Sequence, residues 1–322
     1  MKLLFYLVLS FSFSMTVFAQ QTHFEKGVRL FAQNKFTAAQ PHFEKAIQKQ
    51  PENVKILEYL GDVSGYQKHW DDALGYYKKL LTIDNQNANY HFKYGGALAL
   101  KAQQANKLKA LLMVSDFKAH LHTAIELDKN HIEARWALVE IYVSLPSLVG
   151  GSEAKAKKYA NELLKLSPVD GYLALGYVAE YYHQPKQAEA YYKKAIKVGG
   201  SLHTYKKLSD LYEKENQPQK ALQNYKTAQP KKQRNHLNYL IGKVCAQYNL
   251  ELDKGLKCLQ LYETNYSEKD GVPLSWAHFR MAQIYRHKKD KRNAYNFIQK
   301  ALQEKPDLKL ALEEKKLILK ME

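Results

Sequence analysis

GVRLFAQNKFTAAQPHFEKAIQKQP (residues 27–51) and GDVSGYQKHWDDALGYYKKLLTIDN (residues 61–85) are two passes over one template. Gly27 is followed at +12, +16, +19 and +24 by Ala39, Phe43, Ala46 and Pro51. Gly61, 34 residues further on, is followed at the same offsets by Ala73, Tyr77, Leu80 and Asn85. Two small residues twelve apart, then an aromatic and a further apolar residue, describe two helices in close contact at their small positions. A fixed period of this length marks a repeated helical hairpin, whose copies bury a shared core by stacking on their neighbours.

The rest of the chain extends the template. It places repeats near 20–53, 54–87, 88–131, 132–168, 169–201, 202–234, 235–274 and 275–308, with a capping helix over 309–322. The third repeat keeps Gly95 and Leu98, then Phe117, Leu121 and Ala124, but carries ten extra residues around 103–114. Leu108, Leu111, Leu112 and Val114 make that insertion apolar, as a helix extension packed on the repeat or as a partner surface. The fourth has Trp136, Leu138 and Tyr142, then Ala156, Ala160, Leu163 and Pro168. Between its helices Pro146 and Gly150-Gly151 break the helix, and Ser152 is placed as an N-cap with Glu153 in the first turn. The glycine pair suits a structural turn or an anion cradle. Tyr172, Gly176, Ala188, Tyr192 and Ala195 mark the fifth repeat; Tyr205, Leu208, Tyr212, Ala221, Tyr225 and Ala228 mark the sixth. Pro185 and Pro218 open second helices, where a missing N–H matters least. Gly242, Gly255, Leu259 and Tyr262 hold a degenerate seventh; Ala282, Tyr285, Ala294, Ile298, Ala301 and Pro306 mark the eighth. A final helix with Leu310, Leu312, Leu317 and Leu319 is expected to cover the last apolar face. No stretch alternates as a strand does.

The chain opens Met1-Lys2, runs uncharged from Leu3 to Phe18, and offers Val17-Phe18-Ala19 to a signal peptidase. An apolar run this short suits a secretory signal peptide (1–19) rather than a membrane span. The expected location is therefore periplasmic or secreted. No Cys follows the apolar run, which argues against a lipoprotein anchor. The formal charge of +17 suits anionic surroundings, or a solvated basic face that keeps an elongated protein soluble. Export argues against nucleic acid as partner. Cys245 and Cys258, the two cysteines of the chain, fall on inward helix positions and read as buried thiols, with one disulfide as the alternative. Among the twelve histidines, His120 and His122 are two apart on a helix and point to different faces, and His278 and His287 have no ligand partner in spacing. No HExxH, CxxC, P-loop, GxSxG or paired-carboxylate motif appears, so the expectation is no metal, no cofactor and no enzyme.

Taken together the ladder resembles the tetratricopeptide repeat (TPR) superfamily over nearly the whole mature chain. The insertion formed by Pro146, Gly150, Gly151, Ser152, Lys155 and Ala156, and the phrase from Leu252 to Leu256, resemble a group of exported bacterial repeat proteins. The resemblance implies an all-α, right-handed superhelical solenoid of about eight hairpins plus the capping helix. It implies binding of proteins or peptides on a concave groove, and no catalysis. Val139, Ser209 and Ala282 stand where the glycine is expected in the fourth, sixth and eighth repeats.

In such repeats the first helix of each hairpin lines the groove. Its residues between the ladder positions include Glu58, Asp62 and Tyr66; Trp136 and Glu140; and Tyr177, Glu180 and Tyr181. Acids and aromatics thus mark the groove, while Lys78-Lys79, Lys157-Lys158 and Lys193-Lys194 fall on second helices. This pattern suits a scaffold that holds a basic or mixed peptide segment of a protein partner. The rival reading is a binder of anionic polymer or lipid head groups, in contact with a membrane surface through the basic convex face. Intact-mass measurement of the protein from its native host should give a chain starting at Gln20; a chain retaining Met1 would remove the export reading.

Overall fold

The computed structural model describes residues 23–231 and 234–322, and the expected signal peptide lies outside them. Every regular element among the described residues is helical. The chain divides into two compact units, one ending at Leu166 and one running Ser167–Glu322. The first holds four antiparallel pairs: α1 (23–32) with α2 (Phe36–Lys49), α3 (Val54–Tyr66) with α4 (Trp70–Ile83), α5 (Ala88–Gln104) with α6 (Lys107–Leu127), and α7 (Ile132–Ser144) with α8 (Glu153–Leu166). The second holds α9 (Pro168–Tyr181) with α10 (Pro185–Val198), α11 (Leu202–Lys214) with α12 (Pro218–Ala228), α13 (Asn235–Tyr248) with α14 (Leu252–Thr264), α15 (Leu274–His287) with α16 (Lys291–Glu304), and the closing helix α17 (Lys309–Leu319).

The ladder glycines do what their spacing implies. A methyl group added at Gly61 would sit 2.3 Å from the Tyr77 ring, and one at Gly176 would sit 2.4 Å from the Tyr192 ring. Both rings are buried, sixteen residues beyond their glycine. The aromatic ring of the second helix therefore lies flat on bare backbone of the first. Phe43 does the same to Gly27, and the leucine of the degenerate repeat, Leu259, lies against Gly242. Around these contacts the buried ladder residues Ala39, Ala73, Ala188, Ala221 and Ala294 let the paired helices approach.

The turns within hairpins show a regularity that composition hides. Asn34, Lys68, His183, Asn216, Asn249 and Lys289 all take left-handed backbone, φ between 52° and 63°. The amide after each reaches back five residues to a carbonyl: His69 N–H to Ser64, Gln184 to Ala179, Gln217 to Tyr212, Asp290 to Tyr285. This closes a helix end with the geometry usually given to glycine. Asn and His are tolerant of that backbone, but Lys68 and Lys289 are not typical there, so at those two positions residue type gave no signal. The helix starts are more conventional. Asn53 and Asn87 accept two backbone N–H bonds each, Lys155 N–H donates to Ser152 Oγ (3.2 Å), and Pro185 and Pro218 sit at first helical positions.

Three expectations need adjustment. The ten extra residues of the third repeat lengthen both of its helices, α5 to 17 and α6 to 21 residues, around a break that Asn106 caps. Val114 is buried and Met113 half-buried, but Leu108, Leu111 and Leu112 stay exposed, so the extension packs by one edge only. In α17 it is Ala311, Glu314 and Ile318, with Leu308 before it, that turn inward. Its four leucines flank that strip and remain exposed, because the inner strip of an eleven-residue helix holds only three side chains. His278, which spacing left without a partner, is buried, with Glu263 and Glu304 each 2.9 Å from one ring nitrogen. Cys245 and Cys258 are buried free thiols, and burial pushes the Cys245 thiol up to about 12.

The glycine contacts give a matched pair of substitutions. Gly61→Ala and Gly176→Ala should each destabilise the fold by about 1–3 kcal/mol through overpacking. Gly75→Ala, where an added methyl meets nothing within 4 Å on exposed α4, should be neutral or stabilise by up to about 1 kcal/mol. Urea denaturation of the three variants checks the order.

Candidate partner-binding surface

In the N-terminal unit the expected groove acids are not open acceptors. Lys93, one repeat further along on α5, brings its ammonium 3.0 Å from Glu58 Oε1 and 2.5 Å from Asp62 Oδ1. The Tyr77 hydroxyl donates to Asp62 (2.7 Å), and Asn89 donates to Glu58 (3.0 Å). Burial, then the Asp62 carboxylate, pushes the Tyr77 phenol up, so it serves as a neutral donor at any physiological pH. The same arrangement recurs in the C-terminal unit. Glu180 accepts from the Tyr192 hydroxyl (2.9 Å) and from Lys214 (3.1 Å) on the next first-of-pair helix.

The series continues through residues that pattern reasoning left out or did not pair. Lys243 on α13 is 3.0 Å from Glu213 on α11, and the Tyr248 hydroxyl also donates to Glu213 (3.4 Å). Arg286 on α15 pairs with the buried Glu314 of α17. Each carboxylate is thus answered by a cation on a neighbouring first-of-pair helix, about one repeat away in sequence. The signal that could have found them is register: Lys93, Lys214 and Lys243 fall 31, 34 and 30 residues after Asp62, Glu180 and Glu213.

Several apolar side chains on these helices remain exposed. Tyr66 is 62% exposed and lies parallel to Phe36, ring centroids 4.1 Å apart. Tyr181 is 46% exposed, edge-on to Tyr182. Both sit five residues beyond their repeat glycine, on the last turn of the helix. Leu100, five beyond Gly95, is exposed at the same register on α5. Trp136 and Tyr177 are half-buried and engaged with neighbours, and Glu140 is exposed on α7 and also engaged. The eight expected residues therefore split: Glu58, Asp62 and Glu180 tie repeats together, Tyr66 and Tyr181 face outward, and Trp136, Glu140 and Tyr177 are engaged with neighbours.

Among the described residues no group of three or more His, Cys, Asp or Glu could hold a metal ion. No helix among them is long and apolar enough to cross a membrane. One open cleft among them, of about 630 Å³, lies between Trp70, Lys101 and Asn106.

Two segments match the tetratricopeptide repeat family: residues 24–101 and residues 277–308. No curated protein sequence matches the chain. Among solved structures it is similar to a thermophilic TPR protein of Thermus thermophilus, with 19% identity and a TM-score of 0.51, over 60% of this chain and 98% of that one. It is also similar to a TPR protein of Parabacteroides merdae, with 15% identity and a TM-score of 0.49, over 93% and 98%. A third is YrrB, described as a TPR protein with an unusual peptide-binding site, with 22% identity and a TM-score of 0.42, over 61% and 97%. The likeness to the Thermus protein speaks to fold alone. Tetratricopeptide repeats are thus matched at residues 24–101 and 277–308, and Gly176 under Tyr192 repeats between them the glycine-on-ring contact of the first two hairpins.

Proposed function

We propose that this chain is an extracytoplasmic, non-enzymatic scaffold that holds a segment of a protein partner against its first-of-pair helices. The observation carrying this reading is the shared register of Tyr66, Leu100 and Tyr181, each exposed five residues beyond its repeat glycine. Exposed large apolar side chains recurring at one position of a repeat make a regular set of anchors. Rigid aromatics suit that use because they lose little rotamer entropy on binding.

The internal ion pairs bear on what kind of segment would fit. Glu58, Asp62 and Glu180 already have cationic partners. Capture of a strongly basic peptide would have to displace Lys93 or Lys214. An amphipathic segment with apolar anchors and few charges suits the surface better than the basic peptide expected from the acids alone.

A photo-crosslinking side chain placed at position 66 or 181 should capture a partner polypeptide in the native host, whereas one at Lys78 on α4 should not. The double variant Tyr66→Ser/Leu100→Ser should lose that partner while keeping its helical content. Equal capture from position 78, or undiminished recovery by the double variant, would remove this reading. Separately, Lys93→Met should destabilise the protein by roughly 1–3 kcal/mol, since it leaves two adjacent carboxylates without their ammonium. Added salt should narrow the gap to wild type in urea titrations, because screening weakens the repulsion left behind.

A further inference from the structure

One zone of the N-terminal unit combines unanswered positive charge with unanswered apolar surface. The ammonium groups of Lys118 on α6 and Lys155 on α8 lie 5.6 and 5.5 Å from the centroid of the same Tyr142 ring. Neither has a carboxylate within ion-pair distance among the described residues, unlike Lys157, which is 2.7 Å from Glu153. The two charges oppose each other, and partial burial with the neighbouring Lys155 holds the Lys118 ammonium below its ordinary range. Such a pair is unfavourable by itself and favourable beside an anion.

The backbone brings apolar groups to the same place. A methyl group added at Gly150 would meet the Lys118 ammonium at 2.9 Å, so the turn between α7 and α8 lies directly over that lysine. Two residues earlier in the turn, Leu148 is 98% exposed. On α6, Leu111 lies two helical turns before Lys118 on the same face, with Leu108 and Leu112 beside it; these three leucines are 47, 71 and 71% exposed in that order. Lys107 and Lys109 border them, with Asp116 the acid among them. Leucines at the tip of a turn and of a helix, ringed by lysines, match the two-layer chemistry of a bilayer interface: apolar groups enter the acyl boundary and ammonium groups meet phosphates.

We propose that this zone docks the protein on a membrane surface bearing anionic phospholipid, with Leu108, Leu111, Leu112 and Leu148 inserted and Lys118 and Lys155 on the phosphates. The occupant is chosen by charge: the uncompensated lysines disfavour a cationic or purely apolar partner. None of these residues belongs to the Tyr66, Leu100 and Tyr181 register, so membrane docking and partner capture draw on different side chains.

The test is co-sedimentation of the full chain with vesicles of phosphatidylcholine alone or with phosphatidylglycerol added. Wild type should bind only the mixed vesicles. Lys118→Gln/Lys155→Gln should weaken that binding by about tenfold, as loss of two charge-assisted contacts implies. A control of equal net charge, Lys305→Gln/Lys309→Gln near the C-terminal end of the sequence, should bind within about twofold of wild type. Leu148→Ser/Leu112→Ser should lose vesicle binding while its melting temperature and helical signal stay at the wild-type level. Equal weakening by the two lysine pairs would show attraction by net charge alone and overturn the proposal. So would binding of inorganic phosphate by the Lys118–Lys155 pair without vesicle binding, or a leucine-dependent dimer in sedimentation velocity without vesicle binding.

Discussion

The first, second and fifth repeats depend on one contact: an aromatic ring laid on helix backbone that carries no side chain. Gly61 under Tyr77 and Gly176 under Tyr192 bring two helices closer than any Cβ would allow. That proximity has two consequences. It buries the ring, and it aims the tyrosine hydroxyl across to a carboxylate on the partner helix, Asp62 or Glu180. A buried hydroxyl needs a partner, and the carboxylate, now partly withdrawn from water, needs a cation. Packing inside one hairpin thereby creates the demand that the next hairpin answers.

That answer is the series of lysines on the following first-of-pair helix. Lys93 and Lys214 neutralise the carboxylates that the tyrosines select, so successive hairpins are joined by polar contacts as well as by apolar stacking. These pairs are half-shielded and gain more than fully solvated ones, whose net worth is small. They also alter the surface on offer. A face that carries acids by composition presents tyrosine and leucine once those acids are internally paired.

The N-terminal unit departs most from a plain repeat array. The longer α5 and α6 push leucines into solvent, and the turn over Lys118 places Leu148 outward beside a lysine pair. Gly151 is required there for a steric reason: a methyl group on it would overlap the Leu145 carbonyl at 1.7 Å. The insertion that interrupts the repeat pattern and the surface that interrupts its polar exterior thus fall in one region.

The period, the helical hairpins and the inward ladder were legible in residue spacing, because a small residue and a ring sixteen apart make sense only if two helices touch. Ser152, Pro185 and Pro218 marked helix starts for equally local reasons. The left-handed turns at Lys68 and Lys289 were not legible, since nothing in a lysine favours that backbone; the close approach of the helices imposes it. Three things were decided by tertiary structure alone: which acids are spoken for, that α17 turns Ala311 and Ile318 inward rather than its leucines, and that His278 sits between Glu263 and Glu304. Spacing along one helix fixes which side chains share a face, a property of 3.6 residues per turn. What lies opposite that face depends on a helix some thirty residues away, and only the folded chain brings the two together.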